Sequence, residues 1–197
     1  MQAFKELGVQ RIIATNSVGC LNPDIALGDL AIPDDFLDMT KRQPFSMYDD
    51  TVEAYHVGMS PAYCPVVRKA LIDAANEVMP GHVHDHAKIV VTEGLHYETQ
   101  LEDRIYRSWG IDLVGMTTLP EAIFARELAM CYAHICLPNN YCIGVEIDAD
   151  DLPRLLSAGV EAFKKVIRIA VKTLAAEEDV DCVCKHALDH AILAKQK

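Results

Sequence analysis

The most informative stretch of the chain, residues 93–127, carries side chains suited to binding a flat polar molecule. Tyr97 and Glu98 stand together after a Gly turn, and the cluster Asn139-Asn140-Tyr141 follows further along. An aromatic ring can cover the face of a heterocycle, while a carboxylate and an amide can read its edge by hydrogen bonding. We therefore predict a small-molecule site formed by these two segments.

These side chains need a scaffold, and the sequence predicts alternating helices and strands. Such alternation indicates an α/β fold with a mostly parallel or mixed sheet, helices on both faces, and one domain over residues 1–197. Residues 41–59 read as loop, and Pro33 favours an edge or a strand end. Helices are predicted at 1–8, 64–79, 99–109, 119–130, 152–177 and 184–195, and strands at 9–16, 30–40, 87–94, 111–116 and 131–138.

Composition narrows the class of protein. The chain has 197 residues, of which 51% are hydrophobic and 24% charged, which is typical of a globular protein with a sizeable core. A formal net charge of -11 argues against nucleic acid as a partner. The sequence has no apolar run of membrane-spanning length and no apolar leader at its start, so we expect a cytoplasmic protein without a membrane partner.

Cysteines and histidines raise the question of a metal. Of the seven cysteines, the pair Cys182 and Cys184 can form a strained disulfide, bind a metal or remain as two thiols. Two free thiols are the favoured interpretation, because no second ligand pair stands at metal spacing in the sequence. The histidines at 82, 84 and 86 can likewise line one face of a strand, but a polar surface loop is favoured. We predict no metal.

Several segments together resemble one family, the trimeric purine nucleoside phosphorylases, which include the methylthioadenosine and methylthioinosine phosphorylases. The matching segments are TNSVGCLNPDIALGD, PFSMYDD, EGLHYET, VGMTTLPEAIFARE, the strand end at Asn140, and CVCKHAL. The resemblance implies a nucleoside phosphorylase-like fold around a mixed sheet and a homotrimer with sites near the subunit interfaces. It also implies cleavage of a purine nucleoside with phosphate as co-substrate and no cofactor. The family's first strand, Gly-rich phosphate loop and Arg-His pair lie upstream of Met1, so the chain is expected to be N-terminally truncated relative to it.

The resemblance also implies how the base is recognised. Tyr97 stands where the family has a base-stacking Phe, and Glu98 stands where methylthioadenosine enzymes carry Ser. Asn140 replaces an Asp of the adenine-type enzymes, with Tyr141 and Cys142 beside it. Glu98 can accept the N1 hydrogen of a 6-oxopurine, and Asn140 can both donate and accept. Glu98 and Asn140 are thus the implied catalytic pair, for inosine, guanosine or 5′-methylthioinosine.

Other positions match the parts of the family's site that hold ribose and phosphate. Met116 corresponds to a ribose contact, Thr117, Asn16 and Ser17 to phosphate contacts, and His56 to a residue that reaches the 5′ substituent across the trimer interface. Thr118 is expected to cap the helix that starts near Pro120. Taken alone, each residue type also fits a structural role such as a turn, a core contact or a solvated side chain. A methylthioadenosine phosphorylase, a phosphate-independent hydrolase and a non-catalytic nucleoside-binding fragment remain as alternatives.

Overall fold

A seven-stranded sheet forms the centre of the computed structural model, which describes residues 1–41, 46–48, 53–142, 152–177, 180–189 and 191–195. Its strands are β1 Arg11–Cys20, β2 Leu30–Ala31, β3 Asp35–Asp38, β5 Val83–His84, β6 Lys88–Val91, β7 Leu113–Gly115 and β8 Cys131–Tyr141. The strand order is β3-β6-β7-β1-β8-β2-β5. Two of the neighbouring pairs, β1 with β7 and β2 with β8, are antiparallel, and the other four are parallel, which confirms a mixed sheet.

Helices cover both faces of this sheet, as the sequence predicts. Val90 and Val91 are neighbours on β6 and therefore point to opposite faces. Val90 packs with Tyr106 of the third helix, whereas Val91 belongs to the main core together with the second, fourth and fifth helices. The helices are α1 Gln2–Glu6, α2 Pro65–Val78, α3 Gln100–Ser108, α4 Glu121–Glu127 and α5 Leu152–Ala176. Among the helices in the described ranges, none has the length and apolar character needed to cross a bilayer.

Helix α3 has a well-defined start, which matters because the site lies just before it. The Thr99 side chain accepts from the Glu102 amide, and the Glu102 carboxylate accepts from the Thr99 amide at 2.8 Å. This capping box satisfies two donors that the first turn would otherwise leave unpaired. The chain from Gly94 to Thr99 is thereby fixed at its downstream end.

The predicted C-terminal helix at 184–195 is wrong. Residues 183–189 form turns, and β9 Ile192–Lys195 pairs antiparallel with β4 Glu53–His56 in a separate two-stranded sheet. The predicted loop at 41–59 therefore contains a strand. Short segments such as these take their conformation from the partner that satisfies their backbone groups, and local propensity does not reveal that partner.

Two further findings concern the first predicted strand and the PFSMYDD segment. The first strand was predicted to end at residue 16, but β1 continues to Cys20 because β8 runs beside it along its whole length. The PFSMYDD segment lies outside the described residues except for residues 46–48. There, the Met47 amide donates to the buried carboxylate of Glu127 at 2.7 Å.

Candidate functional site

The candidate site is built on the paired central strands β1 and β8. Their parallel register pairs Val18 with Pro138 and Gly19 with Asn140, so Asn139 is an extra residue that forms a bulge. Bulges change the direction in which the next side chain points and are frequent beside active sites. The bulge sets Asn140 next to Gly19.

Gly19 has no side chain, and the side chains of Cys142 and Asn140 fill the space beside it. A Cβ atom at this position would lie 2.4 Å from the Cys142 sulfur and 3.6 Å from Asn140 Nδ2. The Asn140 amide nitrogen also lies 3.7 Å from the Cys142 sulfur, within reach of a weak N–H···S contact. The side chains of Asn140 and Cys142 therefore share the surface above a residue that has no side chain of its own.

Glu98 reaches the same cluster from the segment before α3. One oxygen each of Glu98 and Asp103 and the Cys142 sulfur lie within 4.8 Å of one another. Thr92 donates its hydroxyl to Glu98 Oε1 at 2.9 Å, which holds the carboxylate in place and leaves Oε2 for another partner. Glu98 and Asn140, which are 42 residues apart in the sequence, thus both flank Cys142.

The two groups beside Glu98 both have pKa values above their ordinary ones. Burial and the nearby Glu98 carboxylate raise the pKa of Asp103 to about 6. Burial raises the pKa of Cys142 to about 12, so it is a thiol at neutral pH. The trio can hydrogen-bond to a neutral organic ligand, with the Cys142 thiol as a weak donor and the carboxylates as acceptors.

A cavity of about 540 Å³ opens beside Glu98. This volume lies within the range of small-molecule sites. The wall combines apolar and polar side chains with a lysine and the Gly94 turn, where a Cβ atom would lie 2.7 Å from the Met116 sulfur. Met116 therefore packs directly behind that wall. The lining residues are Met39, Lys41, Thr92, Glu93, Gly94, Leu95, His96, Glu98, Glu102 and Tyr106.

Three predicted substrate contacts lie apart from the Glu98 and Asn140 cluster. Tyr97 is 84% exposed, so its ring covers nothing within the described chain. Tyr141 points to the opposite side of β8 from Asn140, and its hydroxyl donates to the Ile25 carbonyl at 3.1 Å. His56 is exposed at the end of β4, in the separate two-stranded sheet.

The predicted phosphate contacts divide into buried and exposed residues. Strand β7 is antiparallel to β1, so the residues after it return alongside Asn16 and Ser17. Ser17 and Thr117 are exposed and present free surfaces to solvent. Asn16 is buried, and its amide donates to Thr118 Oγ1 at 3.0 Å. The Asn16 side chain is therefore engaged within the protein.

Thr118 does not cap a helix through its side chain, contrary to the prediction. Its hydroxyl lies 3.0 Å from Asn16 Nδ2 and 3.2 Å from His134 Nδ1, and the residue before α4 is Pro120, which makes no side-chain cap. Only the Thr118 carbonyl serves the helix, by accepting from the Ala122 amide at 3.0 Å. The buried polar contact with Asn16 and His134 uses the hydroxyl instead.

Sequence reasoning missed Thr92, Asp103 and His134. Thr92 follows strand β6 directly, which is a position that often carries binding residues. Asp103 sits on the buried side of α3 beside Tyr106, so a carboxylate on an otherwise packed helix face was an available signal. His134 lies inside the apolar run CYAHICLP, where a titratable side chain stands out.

Comparisons with known proteins identify the family. The model of the Phosphorylase superfamily matches residues 1–177. The chain is 42% identical to the probable S-methyl-5′-thioinosine phosphorylase of Methanopyrus kandleri, over 96% of this chain and 73% of the relative. It is 40% identical to the 6-oxopurine nucleoside phosphorylase of Pyrococcus furiosus, over 96% of this chain and 74% of the relative.

A solved structure supports the same assignment. A methylthioadenosine phosphorylase from an antarctic soil metagenomic library superimposes with a TM-score of 0.90 at 32% identity, covering 98% of this chain and 68% of that one. The likeness thus extends over nearly all of this chain and about two thirds to three quarters of its relatives. The predicted nucleoside phosphorylase-like fold is confirmed, and the chain belongs to the phosphorylase superfamily.

Proposed function

We propose that this protein is a purine nucleoside phosphorylase of the 6-oxopurine type. It would cleave inosine, guanosine or 5′-methylthioinosine with phosphate to give the free base and a ribose 1-phosphate, as a step of purine salvage. The observation that carries the proposal is that Glu98 and Asn140 both flank Cys142, although they are distant in the sequence. Relatives named as 6-oxopurine nucleoside and S-methyl-5′-thioinosine phosphorylases support the same substrate class.

The proposed division of labour follows from the hydrogen-bonding groups of the base. A 6-oxopurine carries a hydrogen on N1, which the carboxylate of Glu98 can accept, whereas adenine has no hydrogen there. The Asn140 amide can donate to N7 or O6, where negative charge accumulates as the base leaves. A donor aimed at developing charge lowers the barrier by stabilising the transition state.

Phosphate is the proposed second substrate, and no cofactor is needed. The hydroxyls of Ser17 and Thr117 are exposed on adjacent segments and can contact its oxygens, with Met116 close by for the ribose. Asn16 is assigned a supporting role, since its amide binds Thr118. Attack by phosphate on the ribosyl carbon breaks the glycosidic bond, and the electron pair of that bond leaves with the purine.

The assembly and location are further parts of the proposal. We infer a homotrimer in the cytoplasm, with Tyr97 and His56 completing sites at subunit interfaces. Exposed apolar side chains at Leu95, Tyr97 and Leu101 beside the cavity support a protein partner at this edge. The seven cysteines are unpaired, which fits a reducing compartment.

Base specificity tests the roles of Glu98 and Asn140. We expect the double variant Glu98→Ser with Asn140→Asp to lose at least tenfold in kcat/KM for inosine and to shift its preference toward adenosine or 5′-methylthioadenosine. Matched controls are Glu77→Ser, an exposed glutamate of α2, and Asn139→Asp, the bulge neighbour. Unchanged preference in the double variant, or an equal shift in the controls, would remove the specificity assignment.

Product analysis separates phosphorolysis from the alternatives. We expect hypoxanthine release from inosine only when phosphate is added, together with one equivalent of ribose 1-phosphate. Free ribose formed at the same rate without phosphate would identify a hydrolase. Nucleoside binding without turnover, measured by calorimetry, would identify a non-catalytic binding protein. A faster reaction of unmodified protein with 5′-methylthioadenosine than with 5′-methylthioinosine would identify the adenine-type enzyme.

A further inference from the structure

Four cysteine sulfurs meet in the interior, away from the candidate site. The Sγ atoms of Cys64, Cys131, Cys182 and Cys184 all lie within 4.8 Å of one another. Their residues are only 0%, 4%, 9% and 1% exposed, respectively. The sequence shows only the pair Cys182 and Cys184, because the other two ligands come from positions far upstream.

The fold brings these thiols together from three separate segments. Cys64 precedes the first turn of α2, Cys131 begins β8, and Cys182 and Cys184 lie in the segment that follows α5. The Cys64 amide donates to the Tyr132 carbonyl at 2.9 Å, which anchors the start of α2 beside β8. Two of the four sulfurs are therefore held by the sheet core, and the C-terminal segment supplies the other two.

The spacing matches a tetrahedral thiolate site. Zinc bound by four sulfurs at about 2.3 Å places those sulfurs about 3.8 Å apart, by the geometry of a tetrahedron. The cluster is already within 4.8 Å throughout, and the sulfurs of Cys131 and Cys182 lie 3.3 Å apart. Shifts of about an ångström or less in the sulfur positions would bring their separations to the tetrahedral value.

All four side chains are cysteines, and no carboxylate or imidazole belongs to the cluster in the described part of the chain. Four sulfur ligands with no water position are characteristic of structural zinc sites and uncommon at catalytic ones.

We propose that Cys64, Cys131, Cys182 and Cys184 bind a single divalent ion of the zinc class as a structural site. Binding releases one proton from each thiol that ligates and involves no redox change. The ion joins residues 182–184 to the start of α2 and to β8. It thereby fastens the C-terminal segment to the core independently of the catalytic function proposed above.

Metal content and ligand spectroscopy test this proposal. We purify the protein under reductant, remove metal with a chelator, and add Co²⁺ or Zn²⁺ alone. The expected result is one equivalent bound per chain, with the thiolate-to-cobalt charge-transfer band and the visible bands of a tetrahedral site. The variant Cys182→Ser with Cys184→Ser should bind less than a tenth of an equivalent. The control Cys20→Ala removes a buried cysteine outside the cluster and should retain the full equivalent.

A second measurement does not depend on how the variants fold. Stoichiometric thiol modification of the zinc-loaded unmodified protein should release one zinc per chain, detected by a colorimetric chelator. Reduced protein that binds less than a tenth of an equivalent would overturn the proposal. Disulfides among these four cysteines in reductant-free protein, with no metal bound after reduction, would assign the cluster to redox pairing instead.

Discussion

At the scale of single residues, His134 is the least expected feature of the interior. Its ring is fully buried, and Nδ1 lies 3.3 Å from Asn16 Nδ2 and 3.2 Å from Thr118 Oγ1. The other ring nitrogen, Nε2, has no hydrogen-bond partner in the described part of the chain. Burial lowers the pKa of His134 to about 3, so the ring is neutral in the folded protein at neutral pH.

This buried histidine predicts a loss of stability in mild acid. As pH falls from about 6.5 to about 3, the unfolded chain gains a proton at His134 that the folded protein does not bind. The free energy of unfolding then decreases by up to about 1.4 kcal/mol per pH unit. We expect His134→Gln to remove this slope between pH 6.5 and 4, as measured by urea unfolding at each pH. The control His56→Gln, at an exposed position, should keep the slope, and equal slopes in all three proteins would contradict the prediction.

Leu95 is a second residue whose conformation conflicts with its type. It has φ of 73°, directly after Gly94 at φ of 79°, and its side chain is fully exposed. The left-handed region costs a non-glycine residue roughly 1–2 kcal/mol. The Gly turn before Tyr97 and Glu98 is therefore held in place by its neighbours, and such strain is often found beside binding sites.

Relieving this strain should stabilise the protein. In the dissociated chain, where Leu95 is fully exposed, we expect Leu95→Gly to raise the free energy of unfolding by up to about 1 kcal/mol, because the strain it removes exceeds the added freedom of the unfolded chain. Leu7→Gly is the matched control, since Leu7 is 80% exposed but has φ of -77°. The control should be neutral or destabilising in the same denaturant titration. A loss of stability in Leu95→Gly would show that the exposed leucine has a packing role.

At the scale of elements, the sequence predicts what periodicity and capping specify. The amphipathic stripe of α2 and the Thr99 start of α3 both appear where expected, as do the buried strands β6 and β8. Long-range pairing is not visible in the sequence. The C-terminal segment at 192–195 pairs with β4 and does not form the predicted helix, and the bulge at Asn139 depends on the register between β1 and β8.

The same contrast between local features and long-range contacts applies to the residues of the candidate site. Glu98 and Asn140 both lie near Cys142, because α3 packs over the strands and Glu98 stands just before it. The resemblance to a family implies that both contact the base, and this stays a prediction. Tyr141 was assigned by adjacency alone, yet neighbouring residues on a strand point to opposite faces. The four cysteines meet only in the fold, since Cys64 and Cys131 lie 67 positions apart in the sequence. Spacing in the sequence is informative for ligands within one element and not between elements.

Close packing of α5 on β8 gives an element-level prediction. A Cβ atom on Gly159 of α5 would lie 2.2 Å from Leu137 Cδ2 and 3.0 Å from Leu137 Cγ, so the helix approaches the strand at this glycine. We expect Gly159→Ala to destabilise the protein by about 1–3 kcal/mol through overpacking, despite the better helix propensity of alanine. The control Ser157→Ala, exposed on the same helix, should change stability by less than about 0.5 kcal/mol in thermal or urea unfolding. Equal effects of the two substitutions would place α5 farther from β8.

At the scale of the whole molecule, three of the exposed large apolar side chains lie near the cavity of a strongly acidic protein. Leu95, Tyr97 and Leu101 are exposed within seven residues, next to the turn that carries Glu98. A net charge of -11 favours mutual repulsion of copies, so association requires a favourable apolar contact. This arrangement links the proposed oligomer to the proposed site.

Dissociation of the assembly should therefore impair substrate binding. We expect the unmodified chain to sediment as a trimer at micromolar concentration, and Leu101→Glu to shift it toward monomer with unchanged circular dichroism. The matched control is Val171→Glu on α5, since Leu101 and Val171 are 58% and 50% exposed. The KM for inosine should rise at least fivefold in Leu101→Glu and stay within twofold in Val171→Glu. A trimer that survives Leu101→Glu, or an equal effect of both variants, would place the subunit contact elsewhere on the surface.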